Sequence, residues 1–177
     1  MMHLVDAVCD KLERADAGRP MPAYCDPANE VRGAKFDATK GLTQVEIAAR
    51  IRQDIKDALK SGLLPKGVKV SVRCKSYSGG GSIDINITAV PPGFRVCNPK
   101  YVAWRKENPQ DSFPPFRACD MRSDEYSAVL ETLKGIHDAY NRDNSDSMSD
   151  YFDVRYYGDV TMHWELHDRL KAAELEA

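Results

Sequence analysis

No run of this chain approaches the roughly 20 apolar residues that a membrane-spanning helix needs, so no membrane association is expected. Net charge is almost absent: 25 Lys and Arg face 27 Asp and Glu, a formal −2. That excludes a globally basic nucleic-acid-binding protein, and contact with phosphate would need a local patch. Cysteine is sparse and not spaced for pairing. Cys9, Cys25, Cys74, Cys97 and Cys119 are odd in number and none forms CxxC. A disulfide framework is therefore excluded, and the thiols are read as reduced, each a small buried hydrophobe. Acids interrupt the opening MMHLVDAVCDKLER before any cleavage site, unlike a signal peptide, and a cytoplasmic protein is expected. Catalytic signatures are missing as well. No P-loop, no HExxH and no nucleophile with an evident base partner occurs. The chain reads as a binding protein and not an enzyme, with no cofactor or metal expected.

What is present describes an α+β protein. The 177 residues, 42% apolar and 29% charged, suit one domain at 34–177 preceded by a leader at 1–33. In the leader, Leu4, Val5, Val8 and Leu12 make a short helical stripe, followed by a Pro- and Gly-rich loop. Thr43 and Glu46 form a capping box before Ile47, Ala48, Ile51, Ile55, Ala58 and Leu59, and Gly62 and Pro65 stop what they begin: a helix over about 43–61. Val68, Val70, Val72 and Cys74 alternate with polar residues, as do Ile83, Ile85 and Ile87, and S-G-G-G between them predicts a β-hairpin. Residues 91–122 are a Pro-rich basic and aromatic connection in which Asn98-Pro99 starts a short helix over 99–107. Ser123 caps a second long helix with Tyr126, Val129, Leu130, Leu133, Ile136 and Tyr140 on its stripe. YFDVRYYGDV alternates as a last strand with Gly158 at a bend, and 163–176 is helical. A short opening strand fits Ala34–Asp37. The expected architecture is two amphipathic helices packed on one face of a small, mostly antiparallel sheet with a central Gly-rich hairpin, the other face polar and open.

Two segments carry candidate binding residues. The polar hairpin face holds Arg73, Lys75 and Tyr77, with Asp84 across from Lys75 or Arg73 according to register. This is either a solvated, self-neutralised face or a docking surface for phosphate or carboxylate. The connection holds Arg95, Lys100, Tyr101, Trp104, Arg105 and Lys106. Interleaved aromatics and cations suit single-stranded nucleic acid or a protein interface, or the rings simply pin a long loop to the core. Other patterns are weaker. S-G-G-G joins two strands and lacks the P-loop lysine. LTQVEIAARI opens like a helix-turn-helix but continues without the glycine turn. His163 and His167 share a helix face without a third ligand, and Asp143, Asp146 and Asp150 lack the glycine and glutamate of a calcium loop.

VKVSVRCKSYSGGGSIDINIT and AYNRDNSDSMSDYFDVRYYGDV together resemble the large polyvalent protein associated domain, type 29, of phage and conjugative-plasmid proteins, over about residues 35–162. The resemblance implies an accessory protein of a mobile element, and in a stand-alone copy an anti-CRISPR or anti-restriction protein that binds and inhibits a host defence protein or nucleoprotein complex. Its site would combine the hairpin tip with the connection. The alternatives are a single-stranded or duplex DNA-binding protein using the same surface, and a metal-dependent enzyme acting on nucleic acid in which Asp143, Asp146 and Asp150 converge.

Overall fold

A computed structural model describes residues 30–145 and 152–177. The chain divides into two units, Met1–Val31 with Asp143–Asp153, and Arg32–Arg142 with Val154–Ala177. Of the first, the described part holds Asn144 N–H on Asp153 O at 2.9 Å and Asp153 N–H on Ser145 Oγ at 3.1 Å. The expected helix at 4–15 lies outside the described residues. All that follows concerns the second unit.

Helix α1 (Gln44–Ser61) forms where its caps dictate. Glu46 Oε2 accepts from Thr43 N–H at 2.8 Å while Thr43 Oγ1 accepts from Glu46 N–H at 3.4 Å, satisfying donors that the first turn leaves free. Ile47, Ala48, Ile51, Ile55 and Ala58 are its buried stripe, and Gly62 ends it at φ 80°. The helix runs unbroken through Arg52 and Gln53, so no helix-turn-helix forms. Strands β1 (Lys69–Tyr77) and β2 (Gly80–Ala89) pair antiparallel around Ser78–Gly79. Gly79 has φ 89°, a turn conformation that favours glycine. Ile83, Ile85 and Ile87 are wholly buried under α1 and α3.

Helix α2 (Pro99–Glu107) starts at Asn98, whose side chain accepts from Lys100 N–H, with Pro99 at the first position. Helix α3 (Asp124–Asp138) is capped by Ser123 and buries Tyr126, Val129, Leu130, Leu133 and His137. Both α1 and α3 lie on the isoleucine face of the sheet, which is the expected two-layer α+β arrangement.

Strand β3 (Val160–Met162) runs parallel to β2, beside Ile85–Ile87. The region 151–160 is therefore not the alternating strand that its sequence suggests. Phe152 is exposed and only from Tyr157 does the chain meet β2. From there one register holds: Tyr157 N–H donates to Gly81 O at 2.9 Å, Ile83 N–H to Tyr157 O at 2.8 Å, Ile85 N–H to Asp159 O at 2.9 Å and His163 N–H to Ile87 O at 2.9 Å. The cause is Arg155. Its guanidinium donates to Thr39 O, Thr39 Oγ1 (2.9 Å) and Tyr140 O (2.9 Å), and lies 5.1 Å from the Phe36 ring centroid. That diverts residues 154–156 away from strand geometry. Phe36 is buried beneath this cation, and Asp37–Thr39 is a 3₁₀ turn in place of the opening strand at 34–37. Helix α4 (Trp164–Glu176) closes the chain. Glu174 accepts from Val96 N–H at 2.6 Å and Cys97 N–H at 3.0 Å.

Candidate functional site

Strand alternation sends one set of side chains inward and the other outward. The shared register places the outward set in rows across three strands: Tyr77, Gly80; Lys75, Ser82, Tyr157; Arg73, Asp84, Asp159; Ser71, Asn86, Thr161; and Thr88 with His163. Arg73, Lys75, Tyr77, Thr88, Asp159 and Thr161 are exposed. This face carries the only group of sequence-nominated residues that the described strands set side by side.

Arg73 stands directly opposite Asp84, yet the ion pair runs diagonally: Lys75 Nζ lies 3.5 Å from Asp84 Oδ2. Ser82 Oγ also donates to Asp84 at 3.3 Å. Arg73 has no ion-pair partner among the described residues. Two rings close the tip. Tyr77 is 50% and Tyr157 41% exposed, and a Cβ on Gly80 would lie 3.5 Å from one ring and 3.6 Å from the other. Glycine at 80 thus leaves room for both rings. At the other end Trp164, 68% exposed, stacks on His163 with centroids 6.2 Å apart. Tyr157 was not singled out from sequence, because its neighbourhood depends on a parallel pairing between segments 75 residues apart.

The connection behaves differently. Tyr101 is 5% exposed and packs against Trp104 and Phe116 at centroid distances of 6.4 and 6.1 Å, and Trp104 meets Phe116 at 6.1 Å. These rings anchor the loop. Tyr101 is removed from the candidate set because a buried ring cannot stack on a ligand. Arg105 donates to Asp111 O and is half-buried, whereas Arg95, Lys100 and Lys106 are exposed. Arg95 and Lys106 border a groove of about 710 Å³ between the connection and α4. The connection leaves β2 at the end opposite the hairpin tip, and ten residues of strand separate those ends by roughly 30 Å. No hydrogen bond, ion pair or ring contact among the described residues joins Arg73, Lys75 and Tyr77 to Arg95, Lys100 or Lys106. The single combined site expected from sequence divides into two.

Elsewhere, Cys97 is buried and its thiol is pushed up to about 11, first by burial and then by the Glu174 carboxylate. Cys74 is half-buried, but Cys119 is exposed in the turn that the Arg117–Asp120 ion pair (3.0 Å) holds; there the expectation of a buried thiol fails. His137 is a buried polar residue that the sequence reading passed over. Its Nε2 lies 3.0 Å from Ile83 O and its Nδ1 2.8 Å from Asp138 Oδ1. Asp143 is exposed, and Asp146 and Asp150 lie outside the described residues. Among the described residues no group of three His, Cys, Asp or Glu is placed to hold a metal ion, His163 and His167 included, and no helix is long and apolar enough to cross a membrane. Comparison with family models, curated proteins and solved structures finds no match.

Proposed function

We propose that this chain is a non-enzymatic accessory protein of a phage or plasmid that binds and blocks a host defence component. The biological setting rests on the resemblance of the Gly-rich hairpin and the Tyr156-containing segment to the type 29 large polyvalent protein associated domain. The observation that carries the binding reading is the outward sheet face, where exposed Arg73, Lys75, Tyr77 and Tyr157 share one end. Half-exposed tyrosines beside an unpaired arginine have the composition of interface anchors. On this reading the target is a nucleoprotein complex, whose phosphates Arg73 would meet through its planar fork.

The test is efficiency of plating. A phage restricted by a defined CRISPR or restriction system is titred on hosts with and without the expressed chain. The chain should raise plating on defended hosts and leave undefended hosts unchanged, and R73E/K75E should abolish the effect while retaining native circular dichroism. No protection against any system in a broad panel would remove the anti-defence reading.

A further inference from the structure

We infer that the outward sheet face is a platform for one strand of nucleic acid, with phosphates along β1 and bases over β2 and β3. The inference deepens the function proposed above, because it names what the face grips within a nucleoprotein target.

Charge is segregated across the face. Its cations Lys69, Arg73 and Lys75 all lie on β1, an edge strand, and its carboxylates Asp84 and Asp159 lie on β2 and just before β3. Lys75 already answers Asp84 at 3.5 Å, while Lys69 and Arg73 have no ion-pair partner among the described residues. A phosphate backbone therefore finds its cations along one flank, where a strand's regular repeat matches a chain of like charges. The inner rows offer hydrogen-bonding groups. A carboxylate accepts from a base amino group, and Asn86 Oδ1 is buried with no hydrogen-bond partner. Rings stand at both ends: Tyr77 and Tyr157 about Gly80, and Trp164 on His163. Tyr157 and His163 are six residues apart on an extended segment, roughly 20 Å, a length for about four nucleotides, the short end of single-strand site sizes.

The same features disfavour other occupants. A protein interface is expected to have an apolar centre, whereas the middle rows here are Arg73, Asp84, Asp159, Ser71, Asn86 and Thr161. A duplex keeps its base faces stacked inside and offers nothing to isolated tyrosine rings.

The experiment is fluorescence anisotropy with the full chain and labelled dT and rU oligonucleotides of about 12 nucleotides, and the matching duplex, at about 50 to 200 mM salt. Either single strand should bind, with log K falling against log salt at a slope near −2, since three cations contribute about 0.7 each. R73Q/K75Q should flatten that slope by about 1.4. Tyr157→Ala and, separately, Tyr77→Ala should weaken binding about tenfold, the effect of one lost base stack, and leave the slope unchanged. All four side chains are exposed, and circular dichroism confirms folding. Failure of both single strands to bind at low salt, equal binding of the duplex, or unchanged affinity in these variants overturns the inference. If single strands fail to bind while the chain still protects phage from a defence system, this inference falls and the proposed function stands.

Discussion

At the residue scale, individual side chains do local work that can be measured singly. Thr43 and Glu46 close the first turn of α1, and the two hydrogen bonds from Thr43 hold the Glu46 carboxyl below its usual 4.5. A carboxyl depressed by folding stabilises the native state above its unfolded value. That contribution fades as pH falls through the lowered value. Urea midpoints measured from pH 7 downwards should therefore drop less steeply in E46Q than in the native chain. T43A should cost about 1 kcal/mol at neutral pH, the usual effect of a lost N-cap. The cysteines make a second contrast. Iodoacetamide near pH 8 should label Cys119, which is exposed, and spare Cys97, whose buried thiol titrates only at about 11. Peptide mass spectrometry distinguishes the two, and rapid alkylation of Cys97 in the native protein would contradict its placement.

At the scale of elements, the unusual feature is how β3 is brought to β2. Gly158 sits at φ 138°, and a Cβ there would collide with Ile83 O. G158A should lower stability by about 2 kcal/mol or more, through backbone strain and the clash together. A urea midpoint near that of the native chain would show that the parallel ladder is placed otherwise. Helix α4 holds the connection through Glu174, whose carboxylate serves two main-chain N–H groups. E174A leaves those donors unpaired, at about 1–3 kcal/mol. It also removes one cause of the raised Cys97 thiol, so Cys97 alkylation should accelerate in that variant. These elements were unequally legible. Helices at 44–61 and 124–138 announced themselves through caps and a 3.6-residue period, and the hairpin through strict alternation about glycine. The segment 151–160 misled because alternation reports only a preference for extended backbone. Arg155, reaching Thr39 and Tyr140 from 116 and 15 residues away, overrode it.

At the scale of the whole molecule, the two candidate binding regions occupy opposite ends of β2. K100E/K106E should therefore leave single-strand affinity within about twofold if the sheet face is the site, because charges some 30 Å away lie beyond the Debye length of about 8–10 Å. An effect as large as that of R73Q/K75Q would restore one continuous site. The lack of strong net charge has the same consequence: at −2 overall, no long-range field steers a strand to the chain, and recognition rests on the local row of cations along β1.

The amino-acid order by itself determined what depends on neighbours within a few residues: the capped helices, the hairpin, the polar character of its outer face and the Pro-started turn of helix at 99–107. Caps, turns and periodicity act over that distance, so they can be read directly. Only the tertiary structure decided which polar residues meet. It set Tyr157 beside Tyr77 across Gly80, buried Tyr101 and His137, exposed Cys119, and separated the hairpin from the connection. Those outcomes follow from the parallel register of β3 on β2 and from the packing of α3 and α4. They are contacts between residues tens of positions apart, for which local sequence carries no periodic signal.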